Sequence, residues 1–340
     1  MNLRQLSDLL GLSPTTVSRA LGGYPEVSEA TRRRVRAAAD AHGYRPNRRA
    51  ASLATGRAMA VGHVIATSHS HEMVNPVFSD FVAGAGEVYA ARGYDMVMSV
   101  VADGQEVAAY RNMAETGSVD GIIVHGPRRG DVRIDVLRDL GLPFVVHGRA
   151  PLDHSDYSFV DIENARAFRR ATDLLLDLGH RRIALINGRA EMDFARRRRS
   201  GWAEALAARG LPVTTDMEVN AEMSEQAGHA AAVALLARAD APTAFLVSSI
   251  IMAIGVRRAI HEAGLEMPKD VSVAIHDDML GYLGNGGETP VFTATRSSVR
   301  AAGRRCAELL IERIADPALA PAQEVWDCEL VTGGSTAPPP

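Results

Sequence analysis

Leu12-Ser13-Pro14-Thr15-Thr16-Val17-Ser18-Arg19-Ala20-Leu21, preceded by Gly11 and followed by Gly22-Gly23, is the stretch from which the rest of the chain can be read. A serine at a helix start accepts a hydrogen bond from one of its free N–H groups, and proline suits the first helical position. The two glycines then stop the helix. Upstream, leucines at 3, 6, 9, 10 and 12 follow helical spacing, interrupted by Gly11 where a tight turn is needed. Downstream, Ser28 caps a third helix over 29–42, in which Ala30, Val35, Ala38 and Ala39 can face inward. Gly43 ends it, and Tyr44-Arg45-Pro46 forbids continuation. Three such helices make a helix-turn-helix unit over residues 1–46, whose second helix presents its N-terminal residues to base edges in the major groove.

Charge is distributed to match. The 340-residue chain has a formal net charge of −4, but residues 1–57 carry ten arginines against four acids, a balance of +6. The remainder is therefore at −10. A basic head of this kind supplies phosphate affinity, and an acidic body is repelled by the duplex. The competing reading is a small helical interaction domain with a solvated arginine face. Gly11, the Ser13 cap and the +6 balance together favour DNA. Two cysteines, Cys306 and Cys328, leave no disulfide framework. No apolar run approaches the ~20 residues of a membrane span, and the first residues lack a secretory pattern. The chain reads as soluble and cytoplasmic.

The segment from Leu12 to Leu21, with Val27-Ser28 and Gly43-Tyr44-Arg45-Pro46-Asn47, resembles the LacI/GalR family of bacterial transcription regulators. The segment from Leu6 to Leu21 and the Gly22-Gly23-Tyr24-Pro25-Glu26-Val27 that follows look closest to regulators of α-glucoside use. Two departures stand out: Leu10 replaces the family's usual alanine, and Pro14 a polar or aromatic residue. Pro14 offers apolar contact alone, for example with a thymine methyl. Direct readout then falls on Thr15, Thr16 and Arg19, while Ser13 and Ser18 cap the helix or touch phosphate. Val17 is expected in the packing.

Residues 47–57 form a short alanine-rich segment, too short to be a stable helix alone. It resembles the family's hinge helix, which orders on the operator and pairs with its twin. That resemblance implies DNA contacts from Asn47, Arg48 and Ala50, with Leu53 as the wedge in the minor groove. The alternative is that Leu53 packs the linker on the body.

From Met59 onward, apolar runs alternate with helical segments. Strands are expected at 60–66, 95–100, 121–124, 144–146, 183–186, 244–247 and 271–275. Helices are expected at 78–92, 104–116, 135–140, 165–178, 202–209, 225–238 and 252–263. Gly84-Ala85-Gly86 falls inside a helical pattern and reads as close packing. Two successive βα sets imply a two-subdomain, doubly wound parallel α/β core over 58–340, with a ligand cleft at the carboxyl ends of the strands. The subdomains are assigned as 58–160 with 292–322, and 161–291 with 323–340. This arrangement is similar to the family's core of periplasmic-binding-protein type. The likeness runs on through Asn75-Pro76, Val119-Asp120-Gly121, Leu178-Gly179-His180 and Gly201-Trp202 to Gly334-Ser335-Thr336.

Effector-lining candidates at strand ends are Ser68, His69, Phe78, His125, Arg149, Asp161, Asn164 and Ser249, beside Ser248. The resemblance adds Arg198, three residues before Gly201-Trp202, as the arginine that grips the ligand, and Asp277 as the late-strand aspartate. An arginine–carboxylate pair suits sugar hydroxyls. Ser248-Ser249-Ile250 stands where the family has Asn-Asp, which points to a changed or less polar ligand.

Phosphate-binding glycine loops, Gly-x-Ser-x-Gly and metal-ligand spacings are absent, so no catalysis, cofactor or metal is expected. The reading is a homodimeric repressor of a carbohydrate-utilisation operon. It binds a pseudo-palindromic operator in double-stranded DNA, with affinity changed by a small-molecule, sugar-like effector. A chain end without leucine heptads predicts dimers rather than tetramers. The rivals are a small-molecule enzyme with an appended helical domain, and a regulator sensing a protein partner.

Overall fold

The computed structural model describes residues 1–44, 56–66, 75–150 and 156–340. Two compact units emerge, residues 1–59 and 60–340.

The first unit holds α1 (Leu3–Leu10), α2 (Pro14–Leu21) and α3 (Glu29–Ala41). Local signals set each boundary. Asn2 and Gln5 cap the start of α1 reciprocally, each side chain accepting from the other's backbone N–H at 2.9 Å. Gly11 takes the left-handed conformation, φ 63°, that lets α1 end and α2 begin within three residues. Ser13 Oγ accepts the Thr16 N–H at 3.1 Å, and Ser28 Oγ that of Thr31 at 3.2 Å. Leu6, Leu10, Val17, Ala20, Val27, Val35 and Ala39 form the small core. Arg34 donates to the Leu10 carbonyl at 2.8 Å and Arg32 to that of Gly23 at 3.3 Å, so both arginines brace turns.

The second unit is two six-stranded sheets. Its elements are β1 (Ala60–Ala66), α4 (Pro76–Arg92), β2 (Asp95–Val101), α5 (Glu106–Thr116), β3 (Gly121–His125), α6 (Val132–Asp139), β4 (Phe144–His147) and β5 (Ser158–Ile162). Then come α7 (Asn164–Asp177), β6 (Ile183–Asn187), α8 (Asp193–Ala208), β7 (Glu218–Asn220), α9 (Glu225–Leu236), β8 (Ala244–Val247), α10 (Ile250–Glu262) and β9 (Ser272–Asp277). Last are β10 (Thr293–Arg296), α11 (Val299–Ala315), β11 (Gln323–Trp326) and β12 (Glu329–Val331). The first sheet runs β11-β5-β4-β3-β1-β2 and is parallel throughout. The second runs β12-β10-β9-β8-β6-β7 and is parallel except for β12 against β10.

The chain passes between sheets three times: after β5, after β10 and after β11. This corrects the expected subdomain limits. β5 runs to Ile162 inside the first sheet, β10 belongs to the second, and β11 to the first. Each crossing therefore comes later than assigned, because a strand crosses only once its ladder pairing ends. α8 also starts nine residues before the expected 202. Arg196–Arg199 break the apolar pattern in sequence, yet Ala195, Arg198, Gly201, Trp202 and Ala205 form one buried stripe.

Helices pack in close pairs through glycines. A Cβ on Gly84 of α4 would collide with the Arg300 carbonyl of α11, and one on Gly303 with that of Phe81. Gly86, two residues on, faces open space. Of the expected close packing, Gly84 and the buried Ala85 take part and Gly86 does not.

Candidate functional site

On α2 the residues divide by face. Val17 and Ala20 are buried; Pro14, Thr15, Ser18 and Arg19 are exposed. Thr16 is half-buried, and its hydroxyl bonds Ser13 Oγ at 2.8 Å. The exposed row is free to meet a groove, whereas Ser13 and Thr16 are engaged in the cap. Asn47, Arg48, Ala50 and Leu53 lie outside the described residues, as do Ser68 and His69.

In the second unit a cavity of about 280 Å³ opens between the two sheets at the carboxyl ends of their strands. Phe78, His125, Arg149, Asp161, Asn164 and Arg198 all line it. Arg198 is its centre. The guanidinium is stacked between two rings, 5.0 Å from the Phe168 centroid and 4.9 Å from that of Phe194. Its Nε donates to Asn164 Oδ1 at 2.8 Å and its Nη1 to the Ser248 carbonyl at 2.7 Å. Asn164 in turn donates to Asp161 Oδ1 at 3.2 Å. Asp161 Oδ2 lies 2.9 Å from Arg149 Nε, off the line of that N–H, as an ion pair rather than a directed hydrogen bond. One chain of polar contacts thus runs from Ser248 in the second subdomain to Arg149 in the first.

Burial controls the charge states. It pushes the Asp161 carboxyl up to about 6, with Arg149 pulling the other way. Asp278 is likewise pushed up to about 6 by burial, against the pull of Arg198. Burial also lowers Arg198 itself below the ordinary arginine value.

Two expectations are corrected here. Asp278, not Asp277, faces the cavity. Asp277 Oδ1 accepts the Met279 N–H at 2.8 Å, which ties it to its own turn. The two residues lie one step apart at a strand end, where one step reverses the side chain's direction. Ser249 does not line the cavity: its hydroxyl accepts the Met252 N–H at 3.2 Å as the cap of α10. Ser248 contributes its carbonyl, its hydroxyl being donated to Asn187 Oδ1 at 2.6 Å.

A histidine cluster escaped the sequence reading except for His125. Register places His125 opposite His147 on neighbouring strands. His63 Nδ1 and His125 Nε2 share a hydrogen bond of 3.0 Å, and His63 Nε2 bonds Tyr89 Oη at 2.9 Å. Burial lowers His63 and His147 to about 4 and His125 well below its ordinary value, so all three imidazoles are neutral at physiological pH. With Phe78 and Phe81, His125 and His147 make the first subdomain's wall aromatic, and His63 supports His125 from behind. The strand period of two at His63, His125 and His147 could have signalled this only with the register known. Among the described residues no group of three or more His, Cys, Asp or Glu could hold a metal ion.

The two lips of the cavity touch. Arg128 and Met192 form an antiparallel bridge, and the Asp193 N–H donates to the Pro127 carbonyl at 3.1 Å. A guanidinium, two carboxyls, neutral imidazoles and aromatic faces around one enclosed space suit a small polyhydroxylated ligand.

Residues 3–47 match the family described as bacterial regulatory proteins of the lacI family, and 172–336 the periplasmic binding protein-like domain. The HTH-type transcriptional regulator AglR of Rhizobium meliloti is 43% identical over 340 residues, which cover 100% of this chain and 95% of that one. The chain belongs to the LacI family. This LacI-family protein is also 31% identical to the regulator CelR of Thermobifida fusca, over 97% of this chain and 96% of that protein. Among solved structures, a CelR–cellobiose complex matches with a TM-score of 0.72 and 29% identity, covering 98% and 99% of the two chains. The Lac repressor dimer bound to operator and the anti-inducer ONPF matches with a TM-score of 0.84 and 25% identity over 99% of each chain. The chain is thus a helix-turn-helix transcription regulator. Among the described residues no helix is long and apolar enough to cross a membrane.

Proposed function

We propose that this regulator is a homodimeric repressor whose operator affinity is set by a sugar bound between its two subdomains. The observation that carries the effector half is Arg198, a buried arginine clamped between Phe168 and Phe194 and bonded to both the chain leaving β5 and the end of β8. Its remaining donors, the Asp278 and Asp161 carboxyls and the neutral imidazoles of His125 and His147 give a sugar both donors and acceptors. Phe78 gives its C–H face an apolar wall. The cellobiose held by CelR supports the same ligand class here.

On the DNA side, Pro14, Thr15, Ser18 and Arg19 present the reading face. Arg19 takes guanine and Pro14 a thymine methyl, while Ser13 and Thr16 hold the start of the helix through their cap. Asn47, Arg48 and Ala50 touch the hinge site, with Leu53 the wedge. A sugar that closes the cleft changes the relation of the subdomains and with it the spacing of the paired hinges. Affinity for operator then follows from the difference in sugar binding between two states.

The test is a thermal-shift screen of the full chain against glucose, maltose and cellobiose, followed by operator selection from a random duplex pool. A sugar specific to the folded state must raise the melting temperature. It must also change operator binding, which itself falls steeply with salt. A set of sugars that leaves both untouched refutes the effector reading.

A further inference from the structure

The imidazole of His276 stands behind the cavity and is fully buried. Register sets it on β9 opposite Thr295 of β10. Its Nδ1 lies 3.1 Å from Thr295 Oγ1 and its Nε2 3.0 Å from Ser297 Oγ. Nε2 is also 3.6 Å from Asp278 Oδ1. Ser297 and Asp278 line the cavity, whereas His276 and Thr295 do not. The ring therefore supports two lining residues at once. Backbone bonds hold this frame together. The Ser297 N–H donates to the Asp277 carbonyl at 3.0 Å, and that of Val299 to the Asp278 carbonyl at 3.2 Å.

A neutral imidazole carries one N–H and one lone pair. Burial, and after it the charge of Arg198, holds His276 well below its ordinary value, so the ring is neutral. Both of its hydroxyl partners can donate or accept, so the surroundings choose the tautomer. Two features choose alike. Thr295 is fully buried, and its hydroxyl has no other hydrogen-bond partner among the described residues. A buried donor without an acceptor is costly, so the Thr295 O–H donates to Nδ1. The ring's own proton then sits on Nε2, where the Asp278 carboxylate also attracts it. Nε2–H donates to Ser297 Oγ, and the serine keeps its hydrogen for a different acceptor. Ser297 is half-buried, and its hydroxyl has no further protein partner among the described residues. The cavity that it lines is where that hydrogen can be given.

We infer that His276 is a positioning residue that makes Ser297 a fixed hydrogen-bond donor to the effector, with Asp278 the acceptor for the same hydroxyl group. The inference rests on the cleft being the sugar site. A sugar hydroxyl needs a donor for its oxygen and an acceptor for its hydrogen. Ser297 and Asp278, both within 3.6 Å of one nitrogen, supply them side by side. Thr295, His276 and Ser297 thus pass one direction of hydrogen bonding from a buried strand to the ligand.

Nitrogen NMR of the full chain carrying isotope-labelled histidine, without ligand at pH 8, reads the tautomer directly. The His276 signals are those that vanish in His276→Gln. A proton on Nε2 alone is the expected result. A proton on Nδ1, or on both nitrogens, overturns the inference and leaves the sugar reading intact. Calorimetry then uses whichever of glucose, maltose and cellobiose binds the unaltered protein most tightly. Ser297→Ala should bind that sugar about three- to tenfold more weakly, the worth of one neutral hydrogen bond. His276→Phe should lose as much, and the double variant no more than either alone, because both changes remove the same donor. His276→Gln, whose amide can donate to Ser297, should bind the sugar more tightly than His276→Phe does. A histidine that serves folding alone would give a loss that adds to that of Ser297→Ala. Additive losses, or Ser297→Ala binding as tightly as the unaltered protein, overturn the inference. Where melting shows that His276→Phe does not fold, the tautomer and Ser297→Ala decide. Silence from all three sugars overturns the sugar reading and this inference with it.

Discussion

Replacing Arg198 by alanine takes away a guanidinium that two rings and two oxygen acceptors hold in place. The Ser248 carbonyl loses a 2.7 Å partner and Asn164 Oδ1 a 2.8 Å one, each a bond to a charged donor and worth about 1.5–3 kcal/mol. Stacking between Phe168 and Phe194 adds roughly 0.5–2 kcal/mol. Set against these is the cost of holding the charge away from water, which alanine relieves. Removing one member of a buried charged network costs about 3–5 kcal/mol net. The lower end applies here, because Asp278 can take up a proton once its cation is gone. The expected loss for Arg198→Ala is therefore about 3 kcal/mol at pH 8. Arg198→Met, which keeps the stem between the rings, should lose about 1–2 kcal/mol less. Urea unfolding followed by circular dichroism measures both. The loss should shrink at pH 5, where Asp161 and Asp278, with values of about 6, are already largely protonated and the cation has less to stabilise. A penalty under ~1 kcal/mol, or one that is the same at pH 5 and pH 8, would refute the claim that Arg198 organises the site.

Acidification from pH 6.5 to 4 should lower stability. The buried His63, His125, His147 and His276 have depressed values, so their contribution is present above the unfolded value and lost as pH falls towards the folded one. Asp161 and Asp278 oppose this, being stabilising below about 4 and losing that contribution as pH rises through about 6. Four imidazoles against two carboxyls give a net loss; a melting temperature that rises steadily over this range would contradict it. Gly84→Ala should destabilise by about 1–3 kcal/mol, because its methyl meets the Arg300 backbone. Gly86→Ala in the same helix should gain about 0.5–1 kcal/mol. Equal effects in thermal melts would show that the α4–α11 crossing is not close. Arg19→Ala should relax preference at one base pair per half-site in binding-site selection, and an unchanged preference would move readout to Thr15 or Ser18.

Much of the fold could be read because its signals are local. The Ser13 cap, the proline behind it and Gly11 each act within one turn, and all stand where the sequence put them. Strands buried on both faces announce themselves as apolar runs, as β1, β3 and β8 did. The difficulties arise where distant partners decide. Composition alone leaves Arg196–Arg199 an undivided run of charge, and only the family resemblance singles out Arg198, because the two rings and the carbonyl that bury it come from Phe168, Phe194 and Ser248. β10 to β12 are short and are fixed by their neighbours rather than by composition. Asp277 and Asp278 are adjacent, and only the exact end of β9 tells which one turns towards the cavity. His147 carries no sequence pattern of its own; it matters because β4 sets it beside His125.

Each of the three passages between the sheets lends residues to the wall of the main cavity. Asp161, Ile162 and Asn164 come from the first, Ser297 and Ser298 from the second, and Trp326 from the third. A ligand held there rests on the joint that it must turn. Three short links side by side also constrain one another like rods of a single hinge, since no one of them can rotate without the other two. Grip and torque therefore belong to the same side chains. Substitutions in these passages should alter affinity and response together, whereas changes on the outer walls, at Phe78 or His147, should alter affinity alone.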